Sequence, residues 1–148
     1  MTTPNGRQIL IDGGPSGTEL ARELGQVMPH WDRTIDAVIA THPQEDHIAG
    51  LPAAYARFRV GNAYGNGRTN ATASYQALAA QAPGAGLLGQ GDTLEFDGVR
   101  FEVLWPPAGF IAEELNDTSL VIRVTYRNRS ILFTGDSEEP VHAALRDS

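Results

Sequence analysis

The sequence predicts an α/β (α+β) domain with a mixed sheet, and three observations support this prediction. In the first half of the chain, apolar runs of strand length alternate with segments of helical periodicity. From residue 93 onward the apolar period changes to two, which is typical of antiparallel hairpins. The length of 148 residues and the 41% share of hydrophobic residues suit one folded unit. We therefore place residues 1–148 in a single domain.

The first half begins with two strand–helix pairs. Residues 8–11 form a short apolar strand that runs into a glycine-rich turn. A helix is expected from Thr18 to a stop at Gly25, with one apolar face made by Leu20, Ala21 and Leu24. Residues 35–41 are almost continuously apolar, as in a strand that is covered on both faces. A polar loop over residues 42–47 and a helix over residues 48–55 should follow.

The middle of the chain contains one further helix and a loop. Residues 71, 75, 78 and 82 lie on one helical face, which Pro83 and Gly84 would close. Residues 61–68 are rich in glycine and asparagine, so we predict a loop there.

Two hairpins and a last helix make up the second half. The first hairpin pairs residues 93–96 with 99–105 through a type I′ turn at Asp97 and Gly98. The second pairs residues 120–126 with 130–133, with residues 127–129 as its turn. A terminal helix capped by Ser137 should follow, with an apolar face made by Val141, Ala144 and Leu145.

The composition excludes several classes of protein. The longest apolar runs, such as residues 37–40, are far shorter than the roughly 20 residues that a helix needs to cross a bilayer. No signal peptide is expected, and we predict a soluble fragment. The formal charge of −7 argues against binding nucleic acid through charge alone. Because the chain has no cysteine, any bound metal must be held by histidine and carboxylate.

Residues with metal-binding chemistry follow three of the predicted strands. Asp12 follows the first strand, the segment 42–47 follows the second, and Asp136 follows the last. Because ligand sites in such sheets lie at the carboxyl ends of strands, we expect these segments to converge. The middle segment holds two imidazoles and a carboxylate within six positions. Such donors suit zinc, manganese or iron, and an ion with an open position would lower the pKa of a bound water.

A purely structural interpretation of these residues stays open. Asp46 is of a type preferred at helix N-caps, so the segment 42–47 also fits an ordinary turn before a helix. Asp136 lies beside Gly135 and fits a strand-to-helix turn equally well.

The same segments resemble a known family. An Ile-Asp-Gly-Gly turn, the segment from His42 to His47 and a later Thr-Gly-Asp turn resemble the metallo-β-lactamase fold, an αββα sandwich. More narrowly, the chain is similar to the C-terminal hydrolase domain of the ComEC-type DNA-uptake channel of competent bacteria. Six segments carry this resemblance in the family's order: residues 9–15, 31–33, 41–43, 46–51, 116–121 and 132–136.

The resemblance implies a role for each site residue. His42 would bind the first metal ion, Asp46 and His47 would bind the second, and Asp136 would bridge the two. Asp12 would orient the ligand loop by hydrogen bonding without binding metal itself. In the family, metal-activated water attacks a phosphodiester of the DNA strand that is not imported, and Asp46 would act in catalysis by orienting that water.

The sequence also departs from the family. Gln44 stands where relatives carry His or Asp, and a neutral amide is a weak ligand. No histidine lies between His47 and His142, and Asn116 and Asp117 occupy the stretch that the competence family uses instead. We count these two residues and Gln44 as weak ligands at most. The resemblance therefore implies one or two ions, zinc or manganese, in a longer parent, and at most one in this chain.

The family's motifs ahead of residue 8 and well beyond Asp136 have no counterpart here. We therefore expect an incomplete sandwich that lacks its N-terminal strand and its C-terminal half. Such a half-sandwich would expose sheet edges and one apolar face, which predicts self-association of the fragment.

The sequence is compatible with two functions and disfavours a third. The first is a metal-dependent hydrolase, a phosphodiesterase or nuclease acting on DNA during uptake, which this fragment alone would perform weakly or not at all. The second is an inactive remnant that serves as a scaffold or interaction module. A thioester or lactone hydrolase is disfavoured by Gln44 and the missing histidine. The family further implies a membrane parent, with this domain outside the cytoplasm and the channel portion as its partner.

Overall fold

The computed structural model describes residues 1–112 and 114–146, which form two four-stranded sheets. The first sheet is parallel, and its strands follow chain order: β1 (Ile9–Ile11), β2 (Thr34–Ala40), β3 (Arg59–Gly65) and β4 (Gly86–Leu87). The second sheet is antiparallel and also follows chain order: β5 (Thr93–Phe96), β6 (Val99–Trp105), β7 (Val121–Tyr126) and β8 (Arg129–Phe133). The prediction of a mixed sheet is wrong, because parallel and antiparallel pairing are separated into two different sheets.

Helices connect the strands of the first sheet and follow the last strand of the second. Within the described residues they are α1 (Gly17–Val27), α2 (Glu45–Ile48), α3 (Leu51–Arg57), α4 (Ala73–Gln81), a 3₁₀ helix (Asn116–Thr118) and α5 (Glu139–Arg146). None of them has the length and apolar character that crossing a bilayer requires.

The main core lies between the two sheets. Ala37 and Ile39 of β2 pack in one cluster with residues of β6 and β7, among them Phe101 and Ile122. All four side chains are at most 1% exposed. Fully burying an isoleucine or phenylalanine side chain contributes about 1.5–3 kcal/mol, so this layer is a main source of stability. The expected α/β sandwich is thereby confirmed.

A second cluster joins the helices to the outer face of the first sheet. Leu20 and Leu24 of α1 pack with Val38 of β2 and with Leu51 and Ala54 of α3. The predicted apolar face of α1 is correct, because its leucines make this contact. At the far side, Val141 of α5 packs against Trp105 and Val121 of the second sheet.

Helix α1 does not stop at Gly25. It runs to Val27, and the backbone N–H of Met28 donates to the carbonyl of Leu24 at 2.8 Å. Met28 is 8% exposed and packs beside Leu24. Burial of Met28 thus outweighs the cost of about 1 kcal/mol for a glycine inside a helix.

The prediction of a loop over residues 61–68 is wrong in its first half, because residues up to Gly65 belong to strand β3. β3 pairs with β2 along most of its length and carries β4 on its other side. A Cβ at Gly61 would lie 2.7 Å from the carbonyl oxygen of Asp36 in β2, so the glycine permits close approach of the two strands. No residue of β3 is fully buried, so this strand does not need the apolar pattern of a core strand. Its sequence therefore gives no strand signal.

The hairpins confirm the second half of the prediction, with one difference. Asp97 and Gly98 both have positive φ, 56° and 77°, as a type I′ turn requires. In the second hairpin Tyr126 pairs directly with Arg129, so its turn has two residues instead of the expected three.

The outer face of the second sheet is more polar than expected. Arg123 and Glu102 form an ion pair at 2.7 Å on this face, beside Thr125 and its cross-strand partner Ser130. Two apolar side chains of the edge strand β8 are also exposed: Leu132, the cross-strand partner of Arg123 on this face, at 52%, and Ile131 at 60%.

Candidate metal centre

Three loops meet at the carboxyl ends of β1, β2 and β8, as the sequence analysis expected. Asp12 follows β1 and His42 lies two residues beyond β2, and these strands are parallel neighbours. Asp136 lies three residues beyond β8 in the other sheet. The N–H of Leu120 donates to the Thr41 carbonyl at 3.0 Å and joins the two sheets at this point.

His42, His47 and Asp136 form the centre of the site. Each offers one ligand atom, and these atoms lie within 4.8 Å of one another. The imidazoles of His42 and His47 are 4.2 Å apart between ring centroids, and His47 Nε2 lies 3.1 Å from Asp136 Oδ1. The Asp136 side chain is 44% exposed. The group is therefore enclosed on the histidine side and open to solvent at Asp136.

Asp12 holds the ligand loop by hydrogen bonds. Its Oδ1 accepts from the Thr41 N–H at 2.8 Å, and its Oδ2 accepts from the Thr41 hydroxyl at 2.7 Å. The same Oδ2 lies 2.8 Å from His47 Nδ1. Asp12 itself has a φ of 56°, a left-handed conformation that aspartate tolerates better than most residues. Both oxygens of the Asp12 carboxylate are therefore engaged by Thr41 and His47.

The pKa values of the two histidines are shifted in opposite directions. The hydrogen bond to Asp12 is the largest cause that raises the pKa of His47 to about 9, with the charges of Asp12 and Asp136 adding to it against burial. Burial, and then the charge of His47, lowers the pKa of His42. Near neutral pH the metal-free chain therefore holds a cationic His47 between two carboxylates and a neutral His42.

The segment 42–47 is not a loop throughout, because its second half belongs to α2. Gln44 precedes the helix as its N-cap residue and makes no side-chain capping bond. His47 faces Asp12 and Asp136, whereas Asp46 is exposed on α2. Contacts at both ring nitrogens, with Asp12 and with Asp136, hold the His47 side chain inward. Among the described histidine, aspartate and glutamate side chains, the group within 4.8 Å does not include Asp46.

Asn116 and Asp117 support the segment that follows Asp136. The Asn116 side-chain amide donates to Glu138 Oε1 at 3.2 Å, and Asp117 Oδ1 accepts from the Glu138 N–H at 3.4 Å. Asn116 Oδ1 is buried without a hydrogen-bond partner among the described residues. Among the described histidine, aspartate and glutamate side chains, the group around His42 does not include Asp117.

Ser119 and Gly135, which are outside the predicted site residues, also shape the site. The Ser119 hydroxyl accepts from the Asp136 N–H at 3.3 Å. A Cβ at Gly135 would lie 2.8 Å from the Ser119 Cβ, so the glycine allows the Asp136 loop to approach. Both residues lie inside segments that carry the family resemblance, 116–121 and 132–136, and this position is the sequence feature that could have indicated their role.

The donor set fits one divalent ion. His42 Nε2 is buried and has no hydrogen-bond partner within the described part of the chain, which is costly unless a ligand such as a metal ion uses its lone pair. Two imidazoles and one carboxylate are a common ligand set for zinc, and a water ligand would enter from the solvent side, where Asp136 is exposed. His42, His47 and Asp136 are the residues that would hold the ion.

Comparison with known proteins agrees with this geometry. The family model of the metallo-β-lactamase superfamily matches residues 3–148. A curated relative, the hydroxyacylglutathione hydrolase of Xylella fastidiosa (strain M12), is 26% identical over 137 residues, which cover 93% of this chain and 43% of the relative. The chain thus spans less than half the length of the curated relatives that it matches.

Solved structures show the same fold. A metallo-β-lactamase with a HARLDQ motif from Cronobacter sakazakii has a TM-score of 0.60 at 17% identity, over 90% of this chain and 53% of that one. MEM-A1, a subclass B3 metallo-β-lactamase from a soil metagenome library, has a TM-score of 0.54 at 13% identity, over 88% of this chain and 52% of that one. Together with the match over residues 3–148, the fold shows that this chain belongs to the metallo-β-lactamase superfamily.

Proposed function

We propose that this chain contains the metal site of a hydrolase whose substrate is a phosphodiester of DNA. The convergence of His42, His47 and Asp136 on one point, with an open side at Asp136, is the observation that carries the hydrolase part. The DNA part rests on the six segments that resemble the competence family.

The chain's own residues have distinct tasks in this proposal. A divalent ion bound here would lower the pKa of a coordinated water and so supply hydroxide near neutral pH. His42 would hold the ion from the buried side, and His47 would do so after losing its Nε2 proton. Asp136 would contact both the ion and the entering substrate, because it is the exposed member of the group. Asp46, exposed beside His47, would orient the water or bind a second ion.

Two other functions have specific support. The curated relative is a hydroxyacylglutathione hydrolase, which favours a thioester substrate. An inactive scaffold is favoured by Gln44 in place of a ligand and by the position of Asp46 outside the group. Under the first proposal DNA and the channel portion of a longer membrane parent are the partners, and the domain lies outside the cytoplasm.

The decisive experiment combines metal content with two activity assays. The purified chain is loaded with zinc or manganese and dialysed, and bound metal is measured by elemental analysis. The same samples are assayed with a single-stranded DNA oligonucleotide and with a glutathione thioester. His42→Ala and Asp136→Ala remove ligands, Asp46→Ala tests the exposed carboxylate, and His30→Ala is the matched control, since His30 is an exposed histidine outside the group.

Each outcome separates the functions. One ion per chain, lost in His42→Ala and Asp136→Ala but kept in His30→Ala, together with cleavage of DNA, supports the proposal. Bound metal together with cleavage of the glutathione thioester but not of DNA would overturn the DNA proposal and assign a thioester hydrolase. A folded chain that binds no metal after loading would overturn the proposal and would favour the inactive scaffold as the function. Asp46→Ala should keep at least one ion and lose activity if Asp46 orients the water.

A further inference from the structure

The Thr41 hydroxyl lies between Asp12 and His42. Its Oγ1 is 2.7 Å from Asp12 Oδ2 and 3.1 Å from His42 Nδ1. Asp12 Oδ2 also lies 2.8 Å from His47 Nδ1. One carboxylate oxygen is therefore linked to both imidazoles, directly to His47 and through the hydroxyl to His42.

Counting protons fixes the direction of these bonds. A carboxylate only accepts hydrogen bonds, and a hydroxyl has a single proton to donate. The Thr41 proton therefore goes to Asp12, and the contact between Thr41 and His42 needs a proton on His42 Nδ1. A neutral imidazole with its proton on Nδ1 has its lone pair on Nε2. That Nε2 atom is buried, has no hydrogen-bond partner among the described residues and belongs to the candidate metal-binding group.

The position of the hydroxyl is fixed by its surroundings. The Thr41 N–H donates to Asp12 Oδ1 at 2.8 Å, and its carbonyl accepts from the Leu120 N–H at 3.0 Å. The residue is 1% exposed. A Cβ at Gly135 would lie 3.3 Å from Thr41 Oγ1, so the loop that carries Asp136 also packs close to the hydroxyl. Thr41 thus contacts Asp12 and His42 and lies close to the loop that carries Asp136.

We propose that Thr41 is a positioning residue: it relays the hydrogen bond of Asp12 to His42 and holds that imidazole in the tautomer whose Nε2 lone pair can bind a metal ion. The metal part of this inference rests on the proposed function. The tautomer part concerns the metal-free chain, so the two can fail separately. Losing a hydrogen-bonding partner of a ligating histidine typically weakens metal affinity 10–100-fold.

The test uses two substitutions at Thr41 and one control. Thr41→Val keeps the branched shape and removes the hydroxyl, whereas Thr41→Ser keeps the hydroxyl. Ser119→Ala is the matched control, because it removes another buried hydroxyl of the site, one that contacts Asp136 and not the imidazoles. Long-range ¹H–¹⁵N correlation spectra of the metal-free chain report which nitrogen of each imidazole is protonated. Zinc affinity is then measured by competition with a chromophoric chelator.

The unchanged chain, Thr41→Ser and Ser119→Ala should all show His42 protonated at Nδ1 only. Thr41→Val should lose this single tautomer at His42 while His47 stays bonded to Asp12, and its zinc affinity should fall 10–100-fold. The His47 signals also report that Thr41→Val is folded. An unchanged chain with His42 protonated at Nε2, or a folded Thr41→Val with unaltered tautomer and zinc affinity, would overturn the inference. If the unchanged chain binds no zinc but shows the expected tautomer, the relay stands and the proposed function fails.

Discussion

At the scale of single residues, the site depends on how one carboxylate divides its hydrogen bonds. Asp12 accepts from the backbone and hydroxyl of Thr41 and pairs with His47. The pair raises the pKa of His47, so in the metal-free chain a proton occupies the nitrogen that a metal ion would need. Metal binding must release this proton, and metal affinity should therefore rise with pH up to about pH 9.

The same pKa makes the stability of the metal-free chain depend on pH. The pKa of His47 is raised from 6.5 to about 9, so its stabilising effect is complete below pH 6.5 and is lost as the pH rises through 9. We expect the free energy of unfolding to fall by at most about 3 kcal/mol across this window. Below pH 6.5 the lowered pKa of His42 acts in the opposite direction, because the unfolded chain then binds the additional proton.

Urea unfolding in the presence of a chelator, from pH 6.5 to 9.5, measures this slope. Asp12→Asn should flatten it, since the amide removes the charge and asparagine still tolerates the positive φ of this position. An equal slope in Asp12→Asn would show that another group is responsible. His30→Ala, at an exposed histidine, should leave the slope unchanged.

At the scale of elements, two glycines illustrate opposite situations. Gly25 lies inside α1, and a Cβ there would meet no atom within 4 Å. Gly25→Ala should therefore stabilise the chain by about 0.5–1 kcal/mol, because alanine is the better helix former and nothing opposes its side chain. Urea unfolding measures the change. A loss of stability would mean that α1 ends at Gly25, as the sequence pattern suggested.

Gly61 is the opposite case, because its lack of a side chain allows β3 to pair closely with β2. An alanine Cβ would lie 2.7 Å from the Asp36 carbonyl oxygen, and that atom belongs to a backbone held in the sheet. We expect Gly61→Ala to destabilise the chain by about 2 kcal/mol or more. Gly84→Ala is the matched control, since a Cβ there meets nothing within 4 Å, and its effect should stay within about 0.5 kcal/mol.

At the scale of the whole molecule, the sandwich presents an edge that other copies could pair with. Within the described part of the chain β8 pairs with β7 alone, and Ile131 and Leu132 are exposed on it. An apolar edge strand is a known template for association. The polar outer face of the second sheet, with its Arg123–Glu102 pair, makes that face a weaker candidate.

We therefore expect self-association through β8, measurable by size-exclusion chromatography with light scattering. Ile131→Lys should shift the chain toward monomer, because a charged side chain on an edge strand opposes pairing. Val27→Lys is the matched control: Val27 is 69% exposed and lies on α1, away from the edge. A monomer at all concentrations, or an equal response of the two variants, contradicts this prediction.

Much of the architecture followed from the sequence, because its determinants are local. The apolar run of β2, the alternation in β5–β7 and the positive φ at Asp97 and Gly98 are properties of neighbouring residues. The candidate metal-binding residues could also be predicted, since His42, His47 and Asp136 follow the ends of predicted strands. These features needed no knowledge of distant contacts.

Tertiary structure decided the remaining features, because each depends on residues that are far apart along the chain. β3 exists through backbone pairing with β2 and needs Gly61 for close approach, which no apolar pattern signals. The turn of α2 sends His47 toward Asp12 and leaves Asp46 in solvent. Burial of His42 and its hydroxyl relay through Thr41 arise only where the two sheets meet. The sequence thus determined which residues could bind a metal ion, and packing decided which of them share one site.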